Sequence, residues 1–498
     1  LLRLARRGDA PGRPRLTFAA LVVGVCSYTL LQSMTVPALP HIQAELHASQ
    51  SSASWILTSF LISASVATPI LGRLGDAHGK IRMLVISLGL LSLGALGAAL
   101  ATTLPQMVAA RVVQGLAGGV LPLAFGIIRD ELPARRVPGA VALLSSLMSV
   151  GFGAGIVVAG PIVDLVGYRA LFLLPTAAGV AAAITVALLV RESPVRTGRR
   201  VRTLPAVALA GWLVAGLLAV SGAPHAGWTS PRTLGLLLLA VVLLGAWVWI
   251  ESRIDVPLID LGLLVDRRVI GANLVALLIG ISMYASFGFL PQLTQTPAAS
   301  GYGLGASVAL SGYLTLPTAV MSFVGGISSP WLGERLGRHV LITTGCCLSS
   351  AGLLSIALAH DHAWQFLVAN ALTGLGSGFV FAALANVVVA AAPLGSTSVA
   401  AGLNANLRTI GGAIGSAVMA SIVTHHLLPT GWPDESGYTF GFALLAATSL
   451  VAAVVAARIP GCRQAPHALQ RLDDRTISAG IVGNRGQAMS DSLVRTSE

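Results

Sequence analysis

The sequence has 498 residues, of which 55% are hydrophobic and only 10% charged, against about 25% charged in soluble domains, so a water-soluble enzyme of this size is excluded. The net charge of +12 would suit nucleic acid only if the basic side chains gathered on one folded face. Instead they lie in short runs between apolar stretches, which argues against nucleic acid and for a lipid bilayer as the main partner.

A membrane-spanning helix needs about 20 mostly apolar residues, because the bilayer core is about 30 Å thick and holds no water to satisfy the backbone. An Arg-rich segment, roughly 1–15, opens the chain; no small-residue cleavage site follows it, so the first apolar stretch is expected to stay as a helix. Six stretches follow at roughly 16–38, 52–73, 83–103, 105–127, 138–163 and 170–190. Two more run roughly 204–222 and 232–250, and a final six roughly 268–291, 305–330, 339–359, 364–391, 397–424 and 437–458. The predicted organisation is an all-α integral membrane protein of about fourteen helices: a six-helix half over roughly 16–190, two extra helices with linkers over 191–267, and a second six-helix half over 268–458. The polar tail, roughly 459–498, is expected to be disordered.

With the N-terminus in the cytoplasm, alternate loops hold the basic residues: Arg3 to Arg15, then Arg73, Lys80 and Arg82, then Arg129, Arg135 and Arg136, then Arg191 through Arg202. Roughly 27 of the 31 Lys and Arg fall on that side, Arg169 and Arg232 on the other, and Arg111 and Arg408 within helices. Both termini are therefore expected to be cytoplasmic. The four cysteines show neither metal-ligand nor disulfide spacing, and no metal site is expected.

Four motifs carry chemistry. The loop after the second stretch reads Gly72-Arg73-Leu74-Gly75-Asp76-Ala77-His78-Gly79-Lys80-Ile81-Arg82; its glycines permit a tight turn, and Asp76 can meet basic partners or a helix N-terminus across the bundle. A weaker echo, Gly333-Glu334-Arg335-Leu336-Gly337-Arg338, occupies the corresponding turn of the second half, as expected of structural repeats. The fourth stretch contains Arg111-Val112-Val113-Gln114-Gly115-Leu116-Ala117-Gly118-Gly119; the spacing puts Arg111 and Gln114 on one face, where an intramembrane Arg must find a cavity or a partner. The fifth carries Gly151-Phe152-Gly153-Ala154-Gly155-Ile156-Val157-Val158-Ala159-Gly160-Pro161, whose small residues suit close helix packing. The thirteenth puts Asn404, Arg408, Gly411 and Gly415 on one face, with Arg408 about 16 Å from the start of its helix, too deep to reach water easily. Gln32, Met34, Asn273, Tyr284 and Tyr313 supply further polar or adaptable groups for a mostly apolar pocket.

Together these motifs resemble the fourteen-helix drug:proton antiporter branch of the major facilitator superfamily, in which two additional helices lie between six-helix halves. The segment Leu31-Gln32-Ser33-Met34-Thr35-Val36-Pro37-Ala38-Leu39-Pro40 is similar to the branch's first-helix motif, except that its frequent acidic residue is absent. The resemblance implies alternating access around a midplane cavity and proton-coupled efflux of small lipophilic drugs or antibiotics; the alternative is transport of one endogenous metabolite. It implies a gate and switch at Gly72, Asp76, Gly79 and Arg82, with Asp76 docking near Ser396-Thr397-Ser398. It further implies a proton-transfer role for Arg111 and an antiporter helix marked by Gly151, Gly155, Gly160 and Pro161, although Ile156 stands where the family usually has proline.

Every Asp and Glu falls in or beside a loop, which leaves Asp164 as the nearest proton carrier and Asp76 next. A missing buried carboxylate argues against strict preference for cations, so neutral or anionic lipophiles fit better. No Gly-x-x-x-x-Gly-Lys loop is present, so a proton gradient, with no cofactor, is the expected energy source. His360-Asp361-His362 and His425-His426 stand isolated in loops, and no enzymatic activity is expected. The Ala-, Gly- and Arg-rich composition points to a bacterial plasma membrane.

Overall fold

A computed structural model describes residues 14–48, 50–190, 192, 202–254, 257–259, 262, 266–393, 395–425, 428 and 432–459. The expected tail beyond 459 and nearly all of the N-terminal segment lie outside them. The first half comprises α1 (Pro14–Glu45), α2 (Gln50–His78), α3 (Lys80–Leu100), α4 (Leu104–Glu131), α5 (Val137–Val166) and α6 (Ala170–Leu189). Then come α7 (Thr203–Ala226) and α8 (Pro231–Ser252). The second half comprises α9 (Arg267–Gln295), α10 (Val308–Leu336), α11 (Arg338–Leu358), α12 (Ala363–Ala391), α13 (Thr397–Val423) and α14 (Glu435–Ala457). Thirteen of these are long and apolar enough to cross a membrane, and α13, of similar length but carrying Asn404, Asn406 and Arg408, completes the fourteen expected.

The apolar surface that would be a liability in water is here the lipid-facing coat. Leu234, Leu238, Val241 and Trp249 on α8 are all exposed, as befits helices whose only solvent is hydrocarbon. Inside, one core gathers Leu84, Leu88, Leu91, Leu123 and Phe172 from the first half. Two more, around Ile342 and Val380 and around Leu293, Phe366 and Phe442, fill the second. A fourth core joins Leu209 and Leu213 of α7 and Trp247 of α8 to Leu258, Ile259 and Val399, so the extra helices lean on the start of α13.

Sharp corners occupy the corresponding turns of the two halves. Gly79 between α2 and α3 and Gly337 between α10 and α11 both adopt positive φ, 123° and 92°, a conformation that other residues rarely tolerate. The break in α4 at Leu116–Gly119 follows from its glycines, which let the helix lie against α2: a Cβ at Gly115 would sit 2.6 Å from the Phe60 carbonyl oxygen. α5 packs between α1 and α10, with Gly151 and Gly155 facing Thr29 and Ser33 and Gly153 facing Ala319. α5 stays helical through Pro161, and a Cβ at Gly160 would meet nothing within 4 Å.

Candidate functional site

Two features between the halves stand out: a charged latch at one end and a cavity in the middle. At the latch, the α2–α3 turn lies against the start of α13, whose first amides have no partner within their own helix. Asp76 Oδ2 accepts a hydrogen bond from the Val399 amide at 3.1 Å, the docking expected near Ser396-Thr397-Ser398. Asp76 and Lys80 are both fully buried, their Oδ1 and Nζ atoms 3.4 Å apart, and Lys80 also pairs with Asp130 at the end of α4 at 2.5 Å. Arg129 donates to the Ala392 carbonyl and to Thr397 Oγ1, each at 2.7 Å. Two carboxylates and two cations thus offset one another, which a buried cluster requires.

The glycines explain how close the parts come. A Cβ at Gly72 would sit 2.8 Å from the Ser398 carbonyl oxygen. One at Gly79 would sit 2.6 Å from the Glu192 carboxylate, which accepts the Ile81 and Arg82 amides at 3.0 Å each and so caps α3. The Arg82 side chain itself is exposed; its backbone does the binding.

The central cavity, about 630 Å³, is lined by Gln32 of α1, Met148 and Phe152 of α5, Tyr284 and Phe287 of α9, Thr315 and Thr318 of α10, Ser377 and Phe381 of α12, and Arg408 of α13. A second space of about 400 Å³ meets it at Met148, Phe381 and Arg408 and runs among Leu121, Phe125, Ala401 and Asn404 toward the latch. Among the described residues, Arg408 is the only charged one lining either, and its guanidinium lies 5.0 Å from the centre of the Phe381 ring. Across the cavity, Phe152 and Phe287 bring their ring centres within 4.8 Å, joining α5 to α9.

Of the residues singled out in the sequence, Gln32, Tyr284 and Arg408 line the central cavity and Asn404 the second. Asn404 also donates to Asn273 Oδ1 at 3.0 Å, tying α13 to α9. Met34 is buried in the first core, while Tyr313 is 56% exposed on the outside of α10. Arg111 lines neither cavity: it is 1% exposed, donates to the Ile56 carbonyl at 3.0 Å and to Gln114 Oε1 at 2.7 Å, and lies over the Phe60 ring. Asp164 falls in the last turn of α5, its side chain outside the described residues. Lys80, Asp130 and Glu192 escape sequence reading as a group; the one signal was the charged run Arg129-Asp130-Glu131 closing an otherwise apolar helix.

Residues 21–416 match the Major Facilitator Superfamily. The chain belongs to this superfamily. Among curated members it is similar to the tetracenomycin C resistance and export protein of Streptomyces glaucescens, 27% identical over 434 residues, 85% of this chain and 79% of that protein. It is also similar to the multidrug resistance protein Stp of Mycobacterium tuberculosis, 27% identical over 421 residues, 83% of this chain and 77% of the relative. The crystal structure of the human organic anion transporter MFSD10 (TETRAN) shares the fold, with a TM-score of 0.64 at 14% identity, over 90% of this chain and 100% of that one. In transporter folds built from repeats, substrate sites lie near the bilayer midplane at the interface of the repeats.

Proposed function

We propose that this superfamily member exports small lipophilic compounds across a bacterial plasma membrane by alternating access, with both termini in the cytoplasm and the proton gradient as its energy source. The observation that carries the reading is the pairing of a mostly apolar cavity between the halves with a charged latch at the α2–α3 end. Export, rather than uptake, is supported by the names of the similar proteins from Streptomyces and Mycobacterium. In this conformation the latch closes the cytoplasmic side. Opening that side requires Asp76 to leave the Val399 amide and Arg129 to leave Ala392 and Thr397. Protonation of Asp76 would remove a charge that Lys80 holds in place, which gives the proton gradient a point of action.

Accumulation of a lipophilic dye in bacterial cells expressing the protein tests this. Expression should lower accumulation, and a protonophore should restore it. Unchanged accumulation with the protein correctly inserted would overturn the reading; lowered accumulation indifferent to the protonophore would leave export standing and remove the proton.

A further inference from the structure

Building on the efflux reading, we infer that the central cavity is an anion site, and that the substrate is an aromatic organic anion, a carboxylate or phenolate, whose charge is met by Arg408. Three of the six hydroxyls in the cavity wall are already committed. Thr315 donates to the Gly312 carbonyl, Thr318 to Asn370 Oδ1 and Ser377 to the Thr373 carbonyl. Arg408, by contrast, forms no hydrogen bond or ion pair with any described residue; its guanidinium lies over the face of Phe381. A guanidinium offers five donors in a planar fork matched to a carboxylate, and leaving such a group uncompensated inside a membrane protein is costly unless a ligand or water completes it.

The charge around Arg408 points one way. Gln32, Met148, Tyr284 and Phe381, from α1, α5, α9 and α12, share the cavity wall with it, and no carboxylate among the described residues lines either space that meets at it. A cationic guest would face an unscreened like charge in a low-dielectric setting, whereas an anion supplies the missing partner. The apolar part of the guest would lie between Phe381 and the tilted pair Phe152 and Phe287, surfaces suited to aromatic rings. Arg408 also stands where the two spaces join, so a guest entering from the latch side passes it before reaching the central cavity. Outward movement of a monoanion is further favoured by an inside-negative potential, by about fifty-fold per 100 mV, so the cycle does not depend on a carboxylate in the cavity.

The test compares two xanthene dyes of similar shape and opposite charge, fluorescein and rhodamine 123, binding to the full chain in lipid nanodiscs, with protein-free nanodiscs subtracted. The wild type should bind fluorescein at least about ten-fold more tightly than rhodamine 123, and Arg408→Gln should weaken fluorescein binding by about ten- to a hundred-fold. Arg408→Lys should retain part of that affinity, and the thermal midpoint should stay unchanged in both. Failure of the wild type to bind fluorescein, preference for rhodamine 123, or undiminished fluorescein affinity in Arg408→Gln would each overturn the inference. Arg408-dependent fluorescein binding without dye efflux in cells would keep the anion site and remove the export reading; efflux without that dependence would do the reverse.

Discussion

The Asp76 carboxylate on α2 accepts the amide hydrogen of Val399 on α13 at 3.1 Å, so one side chain of the first half closes the N-terminus of a helix in the second. A hydrogen bond to a charged group contributes about 1.5–3 kcal/mol, and its loss should shift the balance of closed and open gates by about ten- to a hundred-fold. Asp76→Ala removes both charge and acceptor; Asp76→Asn keeps an acceptor. With the four native cysteines Cys26, Cys346, Cys347 and Cys462 replaced, a cysteine at Ala401, which lines the space behind the latch, should react faster with an impermeant maleimide in inside-out vesicles. The expected order is wild type, then Asp76→Asn, then Asp76→Ala, and equal rates would show that the contact does not hold the gate.

Gly79→Ala is expected to be strongly destabilising for two separable reasons: φ of 123°, and a Cβ placed 2.6 Å from the Glu192 carboxylate. The backbone component costs about 1–2 kcal/mol for a non-glycine residue. Glu192→Ala alone uncaps α3, exposing the amides of Ile81 and Arg82, with an expected cost of about 1 kcal/mol. Because the double variant removes the clash along with the cap, its thermal midpoint in detergent should lie above the sum of the two single losses. Simple additivity would mean the two residues do not share a contact.

The contrast between what the sequence reveals and what it hides follows from locality. Each spanning helix must satisfy its own backbone and present about 20 apolar residues to lipid, so helix number and order are legible, even for α13 with its polar middle. Helix ends are not: α1 runs on to Glu45 and α2 through Asp76 to His78, because a helix continues into polar residues once its first turns are paid for by the apolar span. Asp76 could be placed against the start of α13 through its motif, but the Lys80 and Asp130 pair joins residues 50 positions apart and leaves no periodic trace. Likewise Gln32, Tyr284 and Arg408 draw notice as polar residues in apolar helices, whereas Phe152, Phe287 and Phe381 have the same local pattern as a phenylalanine facing lipid.

Arg111 and Arg408 are both arginines within membrane helices, and their surroundings predict opposite behaviour. Arg111 is enclosed between α4 and α2 by Ile56, Phe60 and Gln114. Arg111→Ala leaves the Ile56 carbonyl and the Gln114 amide oxygen without that donor and opens a void, with an expected loss of about 1–3 kcal/mol. Arg111→Lys cannot reproduce the two-directional contact and should be destabilised as well. Thermal midpoint and transport should therefore fall together in both variants. A Lys variant with the wild-type midpoint but proton-independent efflux would instead assign Arg111 to coupling.

Glu251 links the two extra helices to the contact between Asp76 and Val399. This residue closes α8, is 2% exposed, and accepts the Ile259 amide at 2.5 Å. Ile259 and Leu258 in turn pack with Leu209, Leu213, Trp247 and Val399, the residue that receives Asp76. Glu251 is also within electrostatic reach of Arg73, three positions before Asp76 on α2. The carboxylate therefore braces both sides of the latch from outside the six-helix halves. Glu251→Ala should raise maleimide reactivity of the cysteine at Ala401 by about ten-fold, since removing one partner of a buried charged contact costs on the order of 1–3 kcal/mol; Glu251→Gln, which keeps an acceptor for Ile259, should raise it less. If the brace and the latch act on one opening, adding Glu251→Ala to Asp76→Ala should accelerate labelling by less than the product of the separate effects. Independent, multiplying effects would place Glu251 in the local stability of α8 and not in the gate.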